Sequence, residues 1–133
     1  MNPITREQID ELLRFLPIFE DPARSFVERW DGGKHPDGTI TMPFPVYRPE
    51  VLEFFHLAAQ PQWTDRKYHQ PEAAKMVRDA AFIARADLDQ IRTMLTFCAR
   101  GERFCDGHWA EMIESGTIAK LLRRLKDLRS DVK

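Results

Sequence analysis

The decapeptide Arg100–Trp109, RGERFCDGHW, holds two arginines, two acids, a cysteine, a histidine and two aromatics. Three kinds of chemistry could use these residue types at this spacing. Arg100 and Arg103, set beside a helix start, would offer bidentate guanidinium donors and oriented N–H groups to a phosphate, nucleotide or acidic peptide, with His108 as an added donor. Cys105 and His108 have usable metal-ligand spacing, Cys98 lies seven residues earlier, and His35, His56 or His69 could complete a set. Structural zinc, however, normally takes two close ligand pairs, and one is present here. Cys105 could also act as a thiol nucleophile with His108 as its base, its pKa depressed by the helix start and the arginines.

Every residue of the stretch also has a structural role open to it, and this is the reading the sequence favours. Gly101 and Gly107 bracket a tight interhelical turn. Asp106 can accept from the first free N–H groups of the following helix. Arg100 and Arg103 can bond the closing carbonyls of the preceding helix or pair with Glu102, Asp106 or Glu111. Phe104 and Trp109 would plug the turn into the core, and Cys105 is a small residue that often buries.

The elements that must position this corner read as helices. Thr5 and Gln8 form a capping box, and Ile9, Leu12, Leu13 and Leu16 follow at helical spacing until Pro17. Asp21-Pro22 predicts a second, short helix carrying Phe26, Val27 and Trp30. Pro49 starts a third with Val51, Leu52, Phe54, Phe55 and Leu57 inward. Pro71 opens a fourth, running through Ala73, Met76, Val77, Ala80 and Ile83. Asp87 and Gln90 cap a fifth, with Leu88, Ile91, Met94, Leu95 and Cys98 on one face. Asp106 is expected to cap a sixth, which Gly116 ends in a left-handed conformation. Thr117 is expected to cap the last, whose stripe is Ile118, Leu121, Leu122, Leu125 and Leu128.

Residues 31–48 break the pattern, with three glycines, and four prolines when Pro49 at the boundary is counted. Pro43 and Pro45 exclude a central strand, so the segment is expected to be a long structured loop, with DGGKHPDG as consecutive turns. It has neither the Lys-Ser/Thr ending nor the following helix of a phosphate-cradling loop. The acids are spread along helices, so no catalytic carboxylate pair stands out. The expected fold is therefore all-α: one domain over residues 1–133, a bundle of about seven helices with a single long Pro/Gly-rich loop.

Composition agrees with a globular chain, 43% hydrophobic and 31% charged, with nine Phe and three Trp for a core. No apolar run reaches the roughly 18 residues needed to span a bilayer. The charged N-terminal stretch predicts no signal peptide, and two cysteines without one predict free thiols and a cytoplasmic location. The net charge of −1 conceals an asymmetry. Residues 1–60 carry six basic and ten acidic side chains, while residues 117–133 carry six basic and two acidic. With residues 109–129 reading as helix, glycine turn, helix, Lys120, Arg123 and Arg124 could meet DNA. Against that, the opposite face of the last helix is apolar as in any packed bundle, and a pI near 6.4 is poor for a nucleic-acid binder.

The corner, the Gly-ended helix after it and the following I-x-x-LLRRL helix resemble a family of small bacterial proteins of unassigned function. A looser upstream match includes Tyr47, Pro49, Trp63, Asp65 and Tyr68, so the resemblance spans about residues 45–128. It implies that the corner matters to the family and brings no activity with it. The function expected from all this is a non-enzymatic binding or interaction module without cofactor. Its surface would comprise Arg100, Glu102, Arg103, Asp106 and His108 with nearby Trp63 and Tyr68. An acidic protein or small anionic ligand is the expected partner, with no membrane, nucleic acid disfavoured and a homo-oligomer open. The alternatives are DNA binding through Lys120, Arg123 and Arg124, and a thiol or zinc protein built on Cys105 and His108.

Overall fold

A computed structural model describes residues 3–132 of the chain. Thr5 caps α1 (Arg6–Leu13) reciprocally with Gln8: the Thr5 hydroxyl accepts from the Gln8 N–H at 3.2 Å, and the Gln8 amide oxygen accepts from the Thr5 N–H at 3.0 Å. Pro17 does not end the helical path. It sits in the first turn of α2 (Leu16–Phe19), where a missing N–H costs no intrahelical bond.

The second expected helix does not form. The Asp21 carboxylate accepts from the Ala23 N–H two residues on, an Asx turn in place of a helix cap. The chain then extends as β1 (Val27–Lys34), which pairs antiparallel with β2 (Ile40–Tyr47). The all-α expectation is thereby overturned: the protein is α+β, and the expected 31–48 loop is most of a β-hairpin. The prolines fit because a two-stranded sheet has only edge strands. Pro45 lies opposite Trp30, and bulges break the register between Val27 and Arg29 and between Asp31 and Gly33. Gly32 is needed at the second bulge, where its φ is 94° and a Cβ would sit 2.7 Å from the Met42 carbonyl oxygen. His35-Pro36-Asp37-Gly38-Thr39 closes the hairpin: the His35 N–H donates to the Thr39 carbonyl at 2.8 Å, and Gly38 takes the left-handed conformation.

Helices account for the rest. Pro49 starts α3 (Pro49–Ala58), and a short 3-10 turn over Pro61–Trp63 leads to α4 (Gln70–Val77). The single fourth helix read from the sequence is split: Asp79 breaks the path and caps a separate α5 (Ala80–Arg85) through the Phe82 N–H. Asp87 and Gln90 form the expected capping box on α6 (Leu88–Arg100). A 3-10 turn over Gly101–Arg103 then leads to α7 (His108–Glu114). Gly116, at φ 83°, turns the chain into α8 (Thr117–Leu128). The cap of α8 is Gly116 itself, and Thr117 is its buried first residue rather than the expected cap. Seven α-helices of six or more residues, one single α-helical turn and three 3-10 turns, the last over Arg129–Asp131, are thus present among the described residues.

The core is organised around α8. Ile118, Leu121, Leu122 and Leu125 are fully buried, and the helix packs against α1, α2, α5, α6 and α7. Phe15, Phe19, Phe54 and Phe55 join the core through edge-to-face contacts, with ring centroids 5.0–5.4 Å apart for the pairs that include Phe54. No helix among the described residues is long and apolar enough to cross a membrane.

Candidate interaction site

The corner between α6 and α7 is organised by Glu102. One of its carboxylate oxygens accepts from the Tyr47 hydroxyl at 2.7 Å and the Trp109 N–H at 2.8 Å; the other accepts from the Gly107 N–H at 2.8 Å. The remaining N–H groups at the start of α7 are also accounted for. His108 donates to the Cys105 carbonyl at 3.1 Å and Ala110 to the Tyr47 hydroxyl at 3.4 Å. An internal carboxylate therefore occupies the position that the sequence offered to an external anion. The cap expected from Asp106 comes from Glu102, because Gly107, at φ 91°, bends the chain so that Asp106 ends exposed.

Tyr47, at the end of β2, thus ties the hairpin to this corner. Burial, reinforced by the Glu102 carboxylate, pushes its phenol above the ordinary tyrosine range, because ionising it would place a second negative charge beside the first. Trp109 completes the junction. Its ring stacks on Phe55 at 4.5 Å between centroids, and its indole N–H donates to the Ala99 carbonyl at 3.0 Å.

Other residues named from the sequence are distributed less compactly. Trp63 is only 1% exposed and belongs to the core, so it cannot face a partner with the arginines. Tyr68 lies under the Arg100 guanidinium, 5.2 Å from its centroid, and Arg103 is exposed. His108 is buried against Phe97, in edge-to-face contact at 5.2 Å. Gly101 makes room for it: a Cβ there would fall 2.3 Å from the imidazole. Burial lowers the His108 pKa, partly opposed by Glu111, Glu102 and a backbone hydrogen bond with Phe97. The aromatic Phe104 is 82% exposed, and Cys105 is exposed beside it, in contrast to the expected plug and buried thiol. Cys98 is buried, and desolvation pushes its thiol pKa up. Among the described residues, no three His, Cys, Asp or Glu side chains gather as a metal site.

The three cations proposed for DNA differ from one another. Lys120 is exposed, Arg123 pairs with Glu20, and Arg124 donates to the Ala86 carbonyl at 2.8 Å. The helix that would enter a groove is the one that fills the core, although its outer rim remains basic.

Two surface recesses escaped the sequence reading. One, about 790 Å³, lies between the 61–67 connector and α6. Its polar groups largely bond one another: Asp65 accepts from the Thr93 hydroxyl at 2.7 Å, and Arg92 reaches the Thr64 carbonyl at 3.1 Å and Asp89 at 3.5 Å. The other, about 820 Å³, runs between β1 and α7, with Trp30, Glu111 and Glu114 among its walls. Beyond it, the hairpin exposes large apolar side chains: Trp30 55%, Ile40 78%, Met42 78% and Phe44 41%. Only the turn signal HPDGT, between the runs VERW and TITMPFPVY, could have revealed this arm from sequence.

The fold and site thus define an α+β domain whose helical body holds the base of a hairpin through the part-buried Tyr47–Glu102 bond and the contact of Trp30 with Gly107. The chain matches a family of unknown function (DUF6508) over residues 4–131, and it belongs to that family. Neither the comparison with curated proteins nor that with solved structures finds a match.

Proposed function

We propose that this protein is a non-enzymatic interaction module whose recognition element is the β1–β2 hairpin, with the Arg100–Trp109 corner as its anchor. The observation that carries this reading is the exposure of Trp30, Ile40, Met42 and Phe44 on one short arm. Exposed large apolar side chains mark contact sites for other macromolecules, and the register presents them on both faces of the arm, Trp30 opposite Pro45 and Phe44 opposite Asp31. A two-stranded hairpin is only marginally stable alone, and here the Tyr47–Glu102 bond and the packing of Trp30 over Gly107 hold its base. The Glu102 carboxylate already uses the N–H groups at the start of α7, which favours the anchor role of the corner over anion capture.

A second reading keeps the anionic ligand and places it at Arg100 and Arg103. The stacking of Arg100 on Tyr68 beside an exposed Arg103 favours it, since such a pair could grip a carboxylate or phosphate. Site-specific photo-crosslinking in the cell of origin separates the two. A photoreactive residue replacing Met42 is expected to give a discrete protein adduct, identifiable by mass spectrometry, that a label at Glu72 does not give. Adducts from position 103 with none from position 42 would overturn the hairpin reading.

A further inference from the structure

We propose that the groove between β1 and α7 receives an extended basic segment of a partner protein, which adds to the hairpin as a third strand. The proposal rests on the interaction-module reading and names the chemistry of the partner. Four consecutive residues of β1, Val27 to Trp30, line the groove. Successive side chains of a strand point to opposite faces, so a face would contribute alternate residues. The bulge between Val27 and Arg29 breaks that alternation within this stretch, so neighbouring residues line the groove where it runs along β1. The sheet has only two strands, so the edge of β1 away from β2 has no strand partner, which is the template used in strand addition.

The opposite wall is Gly107, at the N-cap position of α7, and one stripe of that helix with Ala110, Glu111 and Glu114. Ala110 gives the floor no long side chain, and the Trp30 ring closes the end of the groove over Gly107, its edge 3.2 Å from where a Cβ on Gly107 would lie. The charge of the walls selects the occupant. Glu28, Asp106, Glu111 and Glu114 face the groove against a single cation, Arg29. Arg29 is itself bonded to Asp31 at 3.0 Å and lies within 4.0 Å of Glu28. The surplus is negative, and Trp30, 55% exposed, adds apolar surface to the wall of the groove. A segment alternating Lys or Arg with β-formers would satisfy backbone edge and carboxylates together.

The test is fluorescence anisotropy with two labelled decapeptides, one alternating Lys and Thr, the other Glu and Thr, titrated with the full chain. The Lys peptide is expected to bind at least tenfold more tightly than the Glu peptide. Glu111→Lys combined with Glu114→Lys should weaken it at least tenfold, and Trp30→Ala severalfold. Glu7→Lys with Glu11→Lys, an equal charge change on α1, should alter affinity less than threefold. N-methylation of alternate peptide nitrogens should cost at least tenfold if the backbone pairs with β1. Equal losses in the two charge-reversed proteins, no binding of the Lys peptide, or indifference to N-methylation would each overturn the proposal. Crosslinks from position 42 that persist in such a case would leave the interaction module standing; their absence would remove both.

Discussion

Replacing Glu102 by alanine removes three hydrogen bonds to a carboxylate: from the Tyr47 hydroxyl and the Trp109 and Gly107 N–H groups, at 2.7, 2.8 and 2.8 Å. Bonds to charged groups contribute about 1.5–3 kcal/mol each. The glutamate is partly exposed, so the low end applies, and the uncovered N–H groups regain some water. The net loss expected is about 3 kcal/mol, or a midpoint lowered by about 10 °C for a domain of this size. Asp106→Ala, the substitution that the sequence alone singles out as a lost cap, should stay within about 0.5 kcal/mol because that side chain is exposed. Urea denaturation followed by far-ultraviolet circular dichroism reads both values. A loss below about 1 kcal/mol for Glu102→Ala, or a larger loss for Asp106→Ala, would refute the assignment of Glu102 as the organiser of the corner.

Two further outcomes follow from the same junction. Gly101→Ala should cost about 2 kcal/mol through the clash with the His108 imidazole; in a His108→Ala background the cost should fall by at least half, and a coupling near zero in the double-mutant cycle would show that the two do not touch. The Tyr47 phenol has its pKa raised by burial and by Glu102, so the stability it lends is full below the unfolded value of ~10 and is lost as pH rises through the higher folded value. Absorbance at 295 nm should show one of the two tyrosines staying protonated above pH ~10 until the chain unfolds, and its ionisation near pH 10 in folded protein would contradict the geometry.

Local features were readable in the chain because their physics is local. The capping boxes at Thr5–Gln8 and Asp87–Gln90 close over three residues, and the stripe of α8 repeats every turn, so both were visible in the sequence. The left-handed glycine at position 116 was legible for the same reason. Other features depend on residues far apart. Val27 and Trp30 share the residue types of an amphipathic helix, and their strand state is decided by pairing with Tyr47 and Pro45 across the hairpin. Pro43 and Pro45 argued correctly against a central strand, but nothing in the local pattern shows that this sheet has only edges.

The same division runs through the site. That Arg100–Trp109 forms a tight corner between helices follows from its glycines and flanking periodicity. Which carboxylate caps α7 does not, because Asp106 is the nearer in sequence, yet Glu102, five residues before Gly107, is the one that caps. The choice falls to the left-handed turn at Gly107 and to a tyrosine 55 residues upstream of Glu102. Trp63 and Phe104 are both large aromatics in polar stretches, yet one is core and the other surface, since burial depends on where the surrounding helices close. Spacing along the chain thus determined most of the helices, the two capping boxes and the position of the corner, but not the hairpin or the caps of α7 and α8. Tertiary packing alone decided which groups meet across the corner, because hydrogen bonding and burial act through space between segments that the sequence keeps apart.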